Sequence, residues 1–222
     1  MHDGQMLTNA QAIKDLFAIK LGDFTAFDAA LNHDFALAMQ AKIDAAIKIP
    51  THKTVNYQIS ELTVEMKKTW KACSSHFKEA KYFIEKAFPG NAARHRAFGY
   101  SDYTPMTRYH NKVEIFMELF RDRVNDYQTE LLAAGYSQQD IDNITTLTTN
   151  FKNALRALTN AKKTRPETTK TRTSLMNDVW LDIQTINTAS KRIYRHNPAR
   201  AKQFYIAPMP KRKKLPVVPL SQ

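Results

Sequence analysis

Glycine is scarce in this chain, with five in 222 residues. β-Sandwiches and doubly wound α/β folds need glycine for their many turns, so the count points to long helices with few connections. Cysteine is scarcer still. The single Cys73 excludes an intramolecular disulfide framework and an all-cysteine zinc site, and it suits a reducing compartment. No stretch approaches the roughly 18 uninterrupted apolar residues of a membrane span. The opening MHDGQMLTNAQAIKDL lacks a basic segment followed by an apolar one, so no secretory signal is visible. Together these absences lead to the expectation of a soluble, cytoplasmic protein. Wholesale disorder is excluded by a hydrophobic content of 43% against 24% charged residues.

Carboxylates are missing from one part of the chain in particular. Residues 151–222 hold 16 Lys and Arg but only Glu167, Asp178 and Asp182, a balance of +13. Residues 1–150 hold 17 cations and 18 carboxylates, a balance of −1, so the whole net charge of +12 arises in the last third. That end is the expected electrostatic face.

What is present is helical periodicity. Val55, Ile59, Leu62, Met66, Trp70, Cys73, Phe77, Ile84 and Phe88, with Ala80 in the one wide gap, recur at steps of three and four. This predicts a helix over 54–88, stopped by Pro89 and Gly90. A second stripe, Tyr109, Val113, Phe116, Phe120, Val124, Tyr127 and Leu131, predicts a helix over 105–134, capped by Thr104, begun by Pro105 and ended by Gly135. The SQQD run at 137–140 has capping-box spacing and opens a helix over 137–163, with Ile141, Ile144, Thr148, Phe151, Leu155 and Leu158 inward. Pro166 is the expected start of a last helix over 166–197, carrying Leu175, Val179, Ile183, Ile186 and Ile193. The N-terminal stretch 8–49 reads as a less regular helix, with Ile13, Phe17, Phe24, Phe27, Leu31 and Phe35 in a rough stripe and a kink or break at LGDF, residues 21–24. The expected fold is all-α: a long, roughly antiparallel bundle of four to five helices over residues 1–204, followed by a basic, proline-rich tail at 205–222.

The residue patterns of metal and cofactor chemistry are absent. None of the seven histidines has Glu three residues before it, and there is no HExxH, no Walker loop and no GxGxxG. Cys73 and His76 read as a core cysteine beside a flanking histidine, and His110 with Glu114 and Glu118 as a surface ion-pair face. No catalytic residue, metal site or cofactor is therefore expected.

Two regions stand out for binding. The connector PGNAARHRAFGYSDYTPMTRYH, residues 89–110, gathers Arg94, His95, Arg96, Arg108 and His110 close to a helix start. That is suitable chemistry for a small anion pocket, although a bundle corner with packed tyrosines and solvated cations has the same composition. The second region is the basic third itself. Lys152, Arg156, Lys163 and Lys170 fall on one helical side; Lys191, Arg192, Arg195, Arg200 and Lys202 follow among Tyr194, Phe204 and Tyr205; Lys211, Arg212, Lys213 and Lys214 close the series. Such a surface suits an acidic protein partner or larger assembly, and cations interleaved with aromatics also suit nucleic acid. Its bland counterpart is a solvated basic face.

The stretch AAGYSQQDIDNITTLTTNFKNAL, with the basic linker, long helix and NPARAKQFY that follow it, resembles uncharacterised bacterial helical-bundle proteins over about residues 133–205. The resemblance implies a helical bundle and no particular activity. The resulting expectation is a non-enzymatic structural or interaction protein that uses its basic C-terminal third. A nucleic-acid-binding protein using residues 152–214 ranks second, and an anionic small-molecule site around 94–110 ranks third.

Overall fold

In a computed structural model, which describes residues 3–206, the chain is all-α, with no strand among the described residues. The helices are α1 (Asp3–Ile19), α2 (Leu21–Phe27), α3 (His33–Lys48), α4 (His52–Ala87), α5 (Ala92–Ala97), α6 (Tyr103–Arg108), α7 (His110–Asp126), α8 (Gln128–Ala133), α9 (Gln138–Ile193) and α10 (Pro198–Lys202). Where one bundle over residues 1–204 was expected, the described residues form two compact units with separate cores. One comprises the chain up to Thr51 and again from Glu167; the other comprises His52–Pro166.

In the first unit, Met6, Ala10, Ile13 and Phe17 line one side of α1 at steps of four, three and four. Ala36, Met39, Ile43 and Ala46 do the same on α3, and Met176, Val179, Ile183 and Ile186 on α9. Three faces with one period can close on one another. The core ends in a ring cluster in which Phe24 meets Phe17 edge-on at 4.9 Å and Phe204 at 5.1 Å. Each fully buried phenylalanine contributes about 1.5–3 kcal/mol of burial free energy. Ile206, within the expected tail at 205–222, is buried in the same core. Residues 211–214 of that tail lie outside the described residues.

Two polar contacts bind α9 to α3. Lys42 Nζ reaches both oxygens of the buried Asp182 carboxylate, at 2.9 and 2.8 Å. Arg172, also buried, donates from Nη1 to the carbonyls of Ala46 at 3.0 Å and Ile49 at 2.7 Å. The guanidinium thus satisfies carbonyls at the C-terminal end of α3, where the helix dipole favours a cation.

The second unit is built around Phe77 on α4. Its ring meets Phe116 at 4.8 Å and Phe120 at 5.1 Å, both edge-on, and stacks on Tyr103 at 5.1 Å. The α4 stripe read from the sequence is the buried one: Met66, Cys73, Phe77, Ala80 and Ile84 are all in the core. The 89–110 connector is folded rather than open. Its short helices α5 and α6 hold Phe98 and Met106 in the core as plugs. Gly99 between them has φ of 89° and lies against the Phe116 ring.

Helix boundaries differ from expectation where side chains compete for the backbone. The 8–49 stretch is three helices. Lys20 interrupts it near LGDF, and a second break follows where Asp28 Oδ1 accepts from Ala30 N and Asn32 Oδ1 caps Phe35 N. Phe27, the last residue before that break, is 53% exposed instead of inward. The 105–134 stretch divides at Tyr109, which is extended and exposed, and again at Tyr127. Thr104 does not cap it, because α6 already begins at Tyr103 and Asp102 holds the N-cap position. Gly135, at φ of 98°, ends α8 as expected, with Tyr136 N bonding back to Leu131 O at 2.9 Å.

The largest difference is Pro166, which lies inside α9 and does not start a helix. The helix runs unbroken for 56 residues, about 84 Å at 1.5 Å per residue. An interior proline costs a helix about 3 kcal/mol, since it removes an amide donor and crowds the carbonyl four residues back. The buried stripes on both sides of Pro166 offset that cost.

Gly99→Ala should destabilise the protein by about 1–3 kcal/mol, because a left-handed residue gains a Cβ. That Cβ would lie 2.8 Å from the Phe116 ring. Gly22→Ala, where a Cβ meets nothing within 4 Å, is the control and should be neutral or stabilising. Urea midpoints of the two variants distinguish these outcomes. Arg172→Ala should lose about 2–3 kcal/mol in the same measurement, the range for charge-assisted hydrogen bonds to groups left buried.

Candidate interface for an anionic partner

The candidate residues divide into cations that the fold engages and cations that it presents. Lys152 is engaged. Its ammonium sits 2.6 Å from Glu118 and 2.9 Å from Glu114, and the hydrogen bonds it donates to those carboxylates, Glu118 first, hold it above its ordinary pKa. The two glutamates therefore face Lys152, in place of the expected surface face with His110. Arg156, Lys163 and Lys170 are exposed along α9.

The residues of the anion pocket expected at 94–110 have the following neighbours. Arg94 lies over the Tyr127 ring at 4.3 Å. His95 stacks on Tyr100 at 5.1 Å, with Nε2 3.0 Å from the Phe88 carbonyl. Arg96 and Arg108 are exposed. His110 meets Trp70 edge-on at 5.1 Å, and its Nδ1 and the Trp70 Nε1 are both buried without a hydrogen-bond partner within the protein. The tyrosines serve packing: Tyr100 donates to the Lys81 carbonyl at 3.2 Å, and the Lys81 ammonium sits 4.2 Å above its ring.

At the end of α9 the geometry converges. Asn197 stops the helix and caps the next one, its side chain accepting from Arg200 N at 3.1 Å with Pro198 in the first turn. The chain turns there, and an open, mostly apolar recess of about 370 Å³ forms between the last turns of α9 and α10. It is lined by Lys191, Tyr194, Arg195, Pro198, Ala201, Lys202 and Tyr205. These positions repeat at three- and four-residue spacing straight through the break. The signal was present in the sequence, but Pro198 and Ala201, which make the floor, carry no charge or aromatic ring to draw attention.

The recess is fixed from behind. The Tyr194 hydroxyl donates to Asp23 Oδ2 at 2.7 Å, and burial, helped by Asp23, pushes the phenol up to about 12, so it stays protonated. One face of the Tyr194 ring stacks on Phe204 at 6.0 Å, and the Arg200 guanidinium lies 5.0 Å from its centre. Lys191 Nζ lies 5.6 Å over the Tyr205 ring, and Arg195 Nε donates to the neighbouring His196 at 2.9 Å. Arg192 and Lys202 are exposed. Arg200 also joins Lys20 beside a second, more polar recess of about 500 Å³.

Cys73 and His76 are turned inward. Cys73 is fully buried, its thiol pushed up to about 12 by desolvation, and it donates weakly to the Leu147 carbonyl at 3.7 Å. His76 is no flanking residue: it is buried, with Nε2 2.8 Å from the Tyr136 hydroxyl. Among the described residues, no group of three or more His, Cys, Asp or Glu side chains could hold a metal ion, and no helix is long and apolar enough to cross a membrane. Comparison with known family models, curated proteins and solved structures finds no match.

Burial pulls the His76 imidazole below its ordinary pKa, with Asp140 and Glu79 opposing. The unfolded chain therefore takes up a proton at higher pH than the folded one. Stability should be fully present above about pH 6.5 and fall as pH drops through the depressed folded value, by up to about 1.4 kcal/mol per pH unit. Urea unfolding across this range should show the decline, and His76→Gln should flatten it.

Proposed function

We propose that this protein is a non-enzymatic interaction module whose basic C-terminal third holds an acidic protein partner or assembly. The observation that supports this is a one-sided charge distribution joined to a shaped surface. After Asp182 no carboxylate occurs in the sequence, while Lys191, Arg192, Arg195, Arg200, Lys202 and Lys211 to Lys214 are all cationic. Three of these line the recess at the end of α9. Cations concentrated around one concave site attract an anionic surface over about a Debye length and bias its orientation on approach.

A nucleic-acid partner would use the same charges but would need accessible ring faces for its bases. Tyr194 is buried against Phe204 with Arg200 on its ring, which leaves Tyr205, with Lys191 over one face, as a single exposed ring rather than a series of stacking platforms. This arrangement favours the acidic protein surface. The anionic small-molecule reading of residues 94–110 has less support, since Arg94, His95 and His110 are each engaged with an aromatic ring.

Affinity capture from nuclease-treated lysate should recover a partner on the full chain. Recovery should fall at least about tenfold, a loss near 1.4 kcal/mol, for Lys191→Glu combined with Arg195→Glu and Lys202→Glu, with the helical spectrum unchanged. Recovery that depends on intact nucleic acid, or that survives the triple reversal, would overturn the proposal.

A further inference from the structure

The recess at the end of α9 has a chemistry more specific than its charge. Its floor is apolar, formed by Pro198 and Ala201 with the exposed Tyr205 as a wall, and Lys191, Arg195 and Lys202 complete the lining. At about 370 Å³ it sits at the low end of the roughly 300–1,000 Å³ typical of ligand pockets. That is room for one or two side chains.

We infer that this recess takes a short acidic peptide segment that inserts one apolar or aromatic side chain onto the floor while its flanking carboxylates pair with Lys191, Arg195 and Lys202. The inference rests on the reading of the basic third as an acidic-partner surface and adds the anchor. Charge complementarity selects the occupant. Three of the seven residues lining the recess, Lys191, Arg195 and Lys202, are cations and none is a carboxylate, while the nearby Asp23 is bonded to the Tyr194 hydroxyl, so the lining favours an anionic segment over a lysine-rich one. The apolar floor requires more than carboxylates, because an acidic segment without an anchor would leave it wet. A buried anchor with a charged rim is the usual division of labour in peptide recognition, the pocket contributing affinity and the rim steering and register.

The experiment is a fluorescence-anisotropy titration of the full chain with three labelled probes. These are an acidic peptide with one central phenylalanine, the same peptide with serine in place of phenylalanine, and an oligothymidylate of matched charge. The phenylalanine peptide should bind about tenfold or more tighter than the serine peptide, as burial of one aromatic side chain gives. Tyr205→Ala, which removes an exposed wall of the recess, should erase that difference and leave the weaker, charge-driven binding. Ala201→Trp, which fills the recess, should do the same. Lys191→Glu with Lys202→Glu should weaken both peptides alike.

Equal binding of the two peptides overturns the anchored recess while leaving the acidic-partner reading in place. Binding of oligothymidylate with neither peptide overturns both. Anchored binding that emerges only after residues 207–222 are deleted assigns the recess to the chain's own C-terminal segment, and also overturns the inference.

Discussion

One helix has to satisfy two cores. Along α9, Ile141, Ile144, Phe151 and Leu158 belong to the core around Phe77, and Met176, Val179, Ile183 and Ile186 belong to the core around Phe17 and Phe24. A helix of this length is not held by its own hydrogen bonds alone, because apolar burial supplies most helical stability in proteins. The rest of the structure follows from providing partners for those two stripes. Helices α1 to α3 close one, and α4 to α8 close the other. The threonine-rich stretch between the stripes has little to bury, and hydroxyls such as those of Thr164 and Thr173 instead bond back to carbonyls of the preceding turn.

Engaged and presented charges are separated along the same helix. Lys152 is taken up by Glu114 and Glu118, Arg172 by main-chain carbonyls, and Lys42 by Asp182. Among the described cations beyond Asp182, Lys191 and Arg200 lie over tyrosine rings, Arg195 donates to His196, and Arg192 and Lys202 are exposed.

The apolar stripes were legible in the sequence because burial imposes a period, and a period survives without knowledge of the partner. Met66, Cys73, Phe77 and Ile84 were read in this way, as were Val179, Ile183 and Ile186. Helix breaks were harder, since Asp28, Asn32 and Tyr109 act through local bonds or backbone angles that leave no period. Pro166 misled for the opposite reason: its local rule was outweighed by packing on either side. The neighbours of His76 and Lys152 were not legible because charge and polarity say only what a side chain can bond to. Which residues approach it is set by tertiary contact. The cations and tyrosines of the α9 recess were visible in the sequence, but its floor was not, as Pro198 and Ala201 matter there through shape alone.

Pro166 has a further consequence. Lacking an amide hydrogen, it leaves the Lys162 carbonyl without its usual helical donor. A helix interrupted in this way has an internal end as well as two terminal ones, and amide exchange in helices starts from ends. The same residue closes the span assigned to the second unit. The boundary between the two units thus falls inside a single regular element, at the one residue of α9 that cannot donate a main-chain hydrogen bond.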